Sequence, residues 1–90
     1  MDLGQIRTEI DAIDKEILRL FVRRMQVVEE VARIKKESGQ PVLDPAREKK
    51  IIDWAAEEAG EWGEPACVLF QTLMDLSRAR QQSLREASEK

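Results

Sequence analysis

One apolar stripe through the first third of the chain constrains the fold more than any other feature. Its members are Leu3, Ile6, Ile10, Ile13, Ile17, Leu20, Val27, Val31 and Ile34. They follow one another at alternating three- and four-residue steps, which is the spacing of one face of an α-helix. The stripe therefore predicts one long amphipathic helix over residues 3–36, about 50 Å in length at 1.5 Å per residue.

One position of this stripe is occupied by a cation. Arg24 fills the slot between Leu20 and Val27, and Lys35 lies about 20° away from it around the helix. A charge on a buried face is costly unless a partner compensates it. Because no carboxylate shares this face, the pattern indicates an anionic ligand.

The composition favours a small all-α protein. The 90 residues are 42% hydrophobic and 37% charged, which is typical of one globular domain over residues 1–90. Aromatic residues make up only 4% and Tyr is absent, so a sheet is not expected. The net charge of −3 and the pI near 5.0 argue against a nucleic-acid partner, which would require a basic surface.

The Cys and His content narrows both compartment and chemistry. Cys67 is the single cysteine and no apolar run precedes the stripe, so we expect a cytoplasmic protein without a membrane segment, in which Cys67 is a small buried hydrophobe. The absence of His removes imidazole catalysis and most metal sites. We therefore expect no metal and no cofactor, and an enzyme of this composition would act mainly through electrostatics and positioning.

Breaks in the pattern divide the chain into three helices. The first ends at Ser38-Gly39, before Pro41. Asp44 as N-cap and Pro45 as first helical residue open the second, which stops at Gly60. A turn over residues 60–65 leads into a third helix that begins at Pro65 and frays over residues 85–90.

A monomer cannot bury a stripe of this length. A helix of about 34 residues is not covered by a second helix half as long and a third of about 22. Apolar stripes longer than 25 residues usually pair in a coiled-coil-like manner. We therefore predict an intertwined homodimeric helical bundle with one long, one short and one medium helix per chain.

Polar side chains interrupt the apolar faces of the other two helices as well. Glu48 shares a face with Ile51, Ile52 and Ala55, and Ser77 and Gln81 continue the apolar row of the third helix. Together with Arg24 these polar residues make four, and each has an ordinary explanation by itself. The arginine can extend its charged end to solvent, the glutamate can pair with a structural cation, and the serine or glutamine can bind the backbone. Four inward polar groups at one depth together predict a charged pocket with a ligand.

Three further residues lie beside this set. Asp44 is explained by helix capping, and Arg47 by surface exposure and charge pairing. Arg7 lies about 100° away from Arg24 around the helix axis, so it is beside the stripe and not within it. It is either a solvated first-turn residue or, in a pair of long helices, one that reaches the partner's pocket.

These polar positions, in their order along the chain, resemble those of the all-helical chorismate mutases. The local strings Ile6-Arg7-x-x-Ile10-Asp11-x-Ile13-Asp14 and Asp44-Pro45-Ala46-Arg47-Glu48 look like that family's signatures. The resemblance covers nearly the whole chain and eight polar positions: Arg7, Arg24, Lys35, Asp44, Arg47, Glu48, Ser77 and Gln81.

The resemblance implies conversion of chorismate to prephenate by a [3,3] rearrangement without cofactor or metal, in an entwined dimer with two pockets. Arg24 and the partner's Arg7 would hold the substrate carboxylates, with Arg47 and Ser77 adding contacts. Lys35 and Gln81 would donate to the ether oxygen. Glu48 and Asp44 would recognise the ring hydroxyl and order Lys35.

Two alternatives stay open at this point. Isochorismate pyruvate lyase shares a similar scaffold, but the resemblance implies that this branch lacks the acidic pair Asp44 and Glu48. A non-catalytic helical dimerisation module explains the long helix but not the inward polar residues. Met1 and the charged tail favour a free-standing enzyme over part of a fusion.

Overall fold

The computed structural model describes residues 1–89, and these form an all-α protein with no strand. Helix α1 spans Leu3–Glu37, α2 spans Pro45–Glu58 and α3 spans Gly63–Ser88, with a 3-10 turn over Gly60–Trp62 between the last two. The predicted fold class and the three helices of unequal length are confirmed.

Local capping chemistry sets most helix boundaries where the sequence predicts them. Asp2 caps α1 by accepting a 2.9 Å hydrogen bond from the Gln5 backbone amide, and Asp44 caps α2 by accepting one of 3.1 Å from Arg47. After α1, Gly39 adopts a left-handed φ of 72°, a conformation that costs glycine little. Gly60 ends α2 in the same way, with a φ of 57°.

The third helix departs from the prediction at both ends. It begins at Gly63 rather than Pro65. Amide groups in the first turn of a helix have no acceptor within that helix, so a proline, which lacks the amide hydrogen, is tolerated there. Gly63 is buried against α2, where an added Cβ would stand 2.7 Å from the Ala56 carbonyl oxygen. Its missing side chain therefore permits the close approach of α2 and α3.

The prediction that the helix frays over residues 85–90 is wrong for residues 85–88, because α3 continues to Ser88. Arg85 donates a 2.8 Å hydrogen bond from Nη2 to the carbonyl of Gln40, and the Ser88 hydroxyl contacts the Lys36 ammonium. These contacts anchor the last turns of α3 to the end of α1 and the loop after it. Lys90, the last residue of the predicted tail, lies outside the described residues.

Helix α3 is the centre of the described chain. It packs against both α1 and α2, whereas within residues 1–89 no Cα atom of α1 lies within 8 Å of a Cα atom of α2. Trp54 on α2 meets Phe70 on α3 edge to face, with ring centroids 5.5 Å apart, which contributes to packing between those helices. Cys67 is half-buried at the same interface rather than fully buried, with Sγ 3.7 Å from the Ile52 carbonyl oxygen.

A single chain leaves most of the α1 stripe uncovered. Among the described residues, side chains of α3 form hydrogen bonds with α1 at Arg24, Glu29 and Lys36, all in the carboxyl-terminal half of α1. The described chain measures 55 × 26 × 14 Å. The buried apolar core is small: Val28, Ala32, Ala55 and Met74. Stripe residues such as Ile13 and Ile17 are 58% and 56% exposed. The prediction that one chain cannot cover its own stripe is confirmed.

Among the described residues, no helix combines the length and the apolar character needed to cross a membrane.

Candidate functional site

A cavity of about 260 Å³ with both charged and apolar lining residues lies where the second half of α1, the α1–α2 loop, the start of α2 and the middle of α3 meet. Its apolar walls include Val28, Val31, Ile51 and Met74. The structure brings together in its lining seven of the eight polar residues singled out from the sequence: Arg24, Lys35, Asp44, Arg47, Glu48, Ser77 and Gln81.

Arg24 projects from α1 towards α3 and is half-buried. Its Nη1 donates to Ser77 Oγ and, at 3.4 Å, to the Leu73 carbonyl oxygen. Burial, and secondarily the positive charge of Arg47, lower the pKa of Arg24 from its ordinary value. Within residues 1–89 no carboxylate forms a salt bridge with this guanidinium, and an anion placed beside it would relieve this unfavourable environment.

Lys35 lies about three turns after Arg24 on α1 and is also half-buried. Its Nζ donates a 2.8 Å hydrogen bond to the carbonyl of Val42, in the loop between α1 and α2. Within residues 1–89 no salt bridge joins Lys35 to Asp44. A neutral backbone acceptor therefore orients the ammonium, and no salt bridge within residues 1–89 occupies it.

Glu48 faces the cavity from the first turn of α2, and its side chain is 20% exposed. Oε2 accepts a 2.9 Å hydrogen bond from Arg78 Nε on α3, and Arg78 also binds Asp75 one turn earlier. The ordinary explanation for an inward glutamate, a structural cation, therefore applies to Glu48. Its partner is itself a lining residue of the cavity.

Arg78 is the residue that the sequence analysis missed. It directly follows Ser77 and so lies about 100° away from the Ser77–Gln81 row, where periodicity predicts an exposed side chain. Its spacing of three from Asp75 indicates a surface ion pair on one helix. The sequence signal that could have led to it was the absence of an assigned cation for Glu48.

Helix α3 supplies the two most deeply buried polar groups, since Ser77 and Gln81 are each only 6% exposed. The Ser77 hydroxyl donates to the Leu73 carbonyl oxygen at 2.7 Å, so the ordinary backbone explanation holds for this residue too. Gln81 differs, because its buried Oε1 has no hydrogen-bond partner in the described part of the chain. Leaving such a group unpaired costs about 1–3 kcal/mol, a cost typical of a site built for a ligand.

Asp44 and Arg47 line the cavity at its mouth and are exposed. Asp44 caps α2, as its sequence position predicts. Arg7 is the one predicted site residue outside this cavity. It is exposed on the first turns of α1, about 25 Å along the helix from Arg24, so it cannot reach the cavity of its own chain.

The charge of the cavity suits a small anion. Four cations and two carboxylates line it, which is a formal charge of +2. The cations are Arg24, Lys35, Arg47 and Arg78. In a half-buried, partly apolar site such groups bind carboxylates strongly and in fixed orientation. Among residues 1–89 no group of three or more Cys, Asp or Glu side chains could hold a metal ion.

Comparison with known proteins places the chain in one family. Residues 6–82 match the model of the family described as chorismate mutase type II. The chain is 34% identical to the chorismate mutase of Methanocaldococcus jannaschii over 97% of its own length and 91% of that protein.

Of two further relatives, one is much longer than this chain and the other is named for a different substrate. The T-protein of Haemophilus influenzae is 32% identical over 84% of this chain, which spans 20% of that longer protein. A 4-amino-4-deoxychorismate mutase of Streptomyces venezuelae is 34% identical over 69% of this chain and 60% of its own length.

Proposed function

This chain belongs to the chorismate mutase type II family, and we propose that the cavity between its three helices is the site of catalysis. The activity is that of an isomerase, which converts chorismate to prephenate in aromatic amino acid biosynthesis. The observation that carries the site assignment is the convergence of Arg24, Lys35, Glu48 and Gln81 from three helices on one cavity.

In this proposal the cationic side chains bind the two carboxylates of chorismate. Arg24 is the main anchor, since its guanidinium is half-buried and its hydrogen-bond acceptors in the described part of the chain are neutral, Ser77 Oγ and the Leu73 carbonyl. Arg47 adds contacts at the same end, and the Ser77 hydroxyl would join it by turning its proton from the Leu73 carbonyl to the substrate carboxylate. Holding both carboxylates keeps the enolpyruvyl arm over the ring in a reactive conformation.

Lys35 and Gln81 stabilise the transition state in this proposal. As the C–O bond lengthens, negative charge builds on the ether oxygen, and an ammonium together with an amide N–H favour that state over the ground state. The 2.8 Å hydrogen bond to Val42 restrains Lys35 before the substrate binds. Burial of Gln81 restrains its amide in the same way. No proton is transferred, so a chain without His is competent for this reaction.

Glu48 and Asp44 complete the assignment by binding the ring hydroxyl. One oxygen of Glu48 is occupied by Arg78, and the other remains to accept a hydrogen bond from the substrate. Asp44, at the mouth of the cavity, adds an acceptor and a negative charge near Lys35. This acidic pair also favours the mutase reaction over the related lyase reaction.

We propose that the working form is a homodimer in which the α1 stripes pair. The accessible surface of one chain is 7066 Å², whereas a compact monomer of this mass exposes about 5,400 Å². The excess of roughly 1,700 Å² per chain matches what an obligate homodimer buries. Because Arg7 is on the same helix and too far from its own cavity, it would enter the partner's.

Residues 1–90 form one mutase domain in this proposal, and its location is the cytoplasm. The single cysteine, which is typical of a reducing compartment, supports that location. Neither a metal nor a cofactor takes part in the proposed reaction.

The decisive experiment follows the loss of chorismate by ultraviolet absorbance on the purified chain, with identification of the product. We expect prephenate, without added metal or cofactor. Release of pyruvate from isochorismate would instead favour the lyase. Failure to convert chorismate or to bind a bicyclic dicarboxylate mimic of the transition state, together with tight binding of another protein, would favour a dimerisation module.

A further inference from the structure

Arg78 stands apart from the other cations of the cavity because one of its two carboxylate partners is Glu48, a proposed catalytic residue. Its Nε lies 2.9 Å from Glu48 Oε2, and its Nη2 binds Asp75 on the same helix. Its side chain is 33% exposed and that of Glu48 is 20% exposed. Two carboxylates from two helices therefore hold this guanidinium at the wall of the cavity.

This ion pair divides the two oxygens of Glu48 between two tasks. Oε2 accepts from Arg78, while Oε1 accepts no hydrogen bond within residues 1–89. A carboxylate fixed by one oxygen presents the other in a defined direction. Arg78 thus orients the acceptor that would face the ring substituent of the substrate.

The pair also changes the charge that this substituent meets. A lone half-buried carboxylate attracts an ammonium group more strongly than a neutral hydroxyl. The Arg78 guanidinium, which Asp75 also binds, offsets part of the negative charge of Glu48 and so weakens its attraction for an approaching ammonium. The hydrogen bond from a neutral hydroxyl depends less on that charge.

We propose that Arg78 is a specificity-determining residue that makes the site select a ring hydroxyl over a ring ammonium. This inference rests on the proposed function of the cavity and of Glu48. Chorismate and 4-amino-4-deoxychorismate differ in this group, and the second compound appears in the name of the Streptomyces venezuelae relative. Arg78 acts through Glu48 and through its charge, so it is a positioning residue rather than a catalytic one.

The test compares the kcat/KM of both substrates in Arg78→Gln, Arg78→Lys and the unaltered chain. We expect Arg78→Gln to raise the ratio of amino substrate to chorismate by about tenfold, mainly through KM, because one nearby cation has been removed. Arg78→Lys keeps the charge and should stay within about threefold of the unaltered ratio.

Arg80→Gln is the matched control. Arg80 is two residues further on the same helix and forms a 2.9 Å salt bridge with Glu29 on α1, outside the cavity. The substrate ratio of this variant should not change. If Arg78→Gln does not fold, Arg78→Met replaces it as the variant without the charge, and its substrate ratio is compared with that of Arg78→Lys.

An equal loss with both substrates in Arg78→Gln would overturn the inference, since a purely structural role lowers both alike. An unchanged ratio in a folded Arg78→Gln would overturn it too. Both results leave the proposed function standing. If the unaltered chain converts neither substrate, the proposed function itself fails, and this outcome is distinguished by the first measurement.

Discussion

Arg24 on α1 donates to the hydroxyl of Ser77 on α3, and Ser77 in turn donates to the carbonyl of Leu73. The serine is thus held by its own helix with a lone pair facing the guanidinium. Within residues 1–89 the Nε and Nη2 groups of Arg24 donate no hydrogen bond, so they remain for a ligand. This relationship joins the two helices and positions the Arg24 guanidinium through neutral acceptors.

Replacing Lys35 by Ala should abolish most of the activity and leave the fold intact. We expect turnover to fall by at least about 10²–10³-fold, because the variant loses a donor aimed at the charge that develops in the transition state. Steady-state kinetics and the circular dichroism melt of the same sample check this. Lys49→Ala, which removes an exposed pair with Asp53, is the control and should be near normal. Near-normal turnover of Lys35→Ala would refute its role.

Replacing Arg24 should separate function from stability. Burial and the charge of Arg47 lower the pKa of Arg24, so its charged form is less favourable in the folded chain than in the unfolded one. This cost is present at neutral pH and would diminish only in strongly alkaline solution, near the pKa itself. Arg24→Met should therefore keep or raise the melting temperature without ligand while turnover falls at least about 10²-fold.

With ligand bound, the unaltered chain should become more stable than Arg24→Met. A dicarboxylate mimic of the transition state at about 100 times its Kd stabilises a protein by about 2.7 kcal/mol. We expect the corresponding rise in melting temperature in the unaltered chain and its loss in Arg24→Met. Arg33→Ala, which breaks only exposed pairs on α1, should retain the rise. An equal rise in Arg24→Met would show that Arg24 does not bind the anion.

Mixing two inactive variants tests whether Arg7 serves the partner's cavity. Arg7→Ala alone and Lys35→Ala alone should each be nearly inactive, while a mixed dimer contains one cavity with both residues intact. After joint refolding at equal concentrations, random pairing should restore about a quarter of the unaltered activity. Absence of any recovery, with mixed dimers verified by mass, would contradict the exchange of Arg7.

Charges introduced into the stripe should dissociate the dimer. Ile13 and Ile17 are 58% and 56% exposed in the single chain, and burying a glutamate at either place between two helices is costly. The double variant Ile13→Glu, Ile17→Glu should run as a monomer by light scattering and lose activity. Val68→Glu, at a position on α3 that is 65% exposed, should stay dimeric. A dimeric stripe variant would require another interface.

Much of the helical framework follows from local sequence. The stripe from Leu3 to Ile34 predicts α1, and Asp44 followed by Pro45 predicts the start of α2, because periodicity and capping depend on residues within one or two turns. Boundaries set by distant contacts were predicted less well. The start of α3 at Gly63 depends on its approach to Ala56, and its last turn depends on Arg85 and Gln40.

In the site, too, local features are predictable from the sequence and contacts between helices are not. The inward direction of Arg24, Glu48, Ser77 and Gln81 was readable from the sequence, since each interrupts an apolar row whose facing is fixed by helical geometry. Which of these groups meet was decided only by the tertiary structure. The sequence could not reveal that Arg78 holds Glu48, because a residue one step from the buried row turns inward or outward according to the helix packed against it.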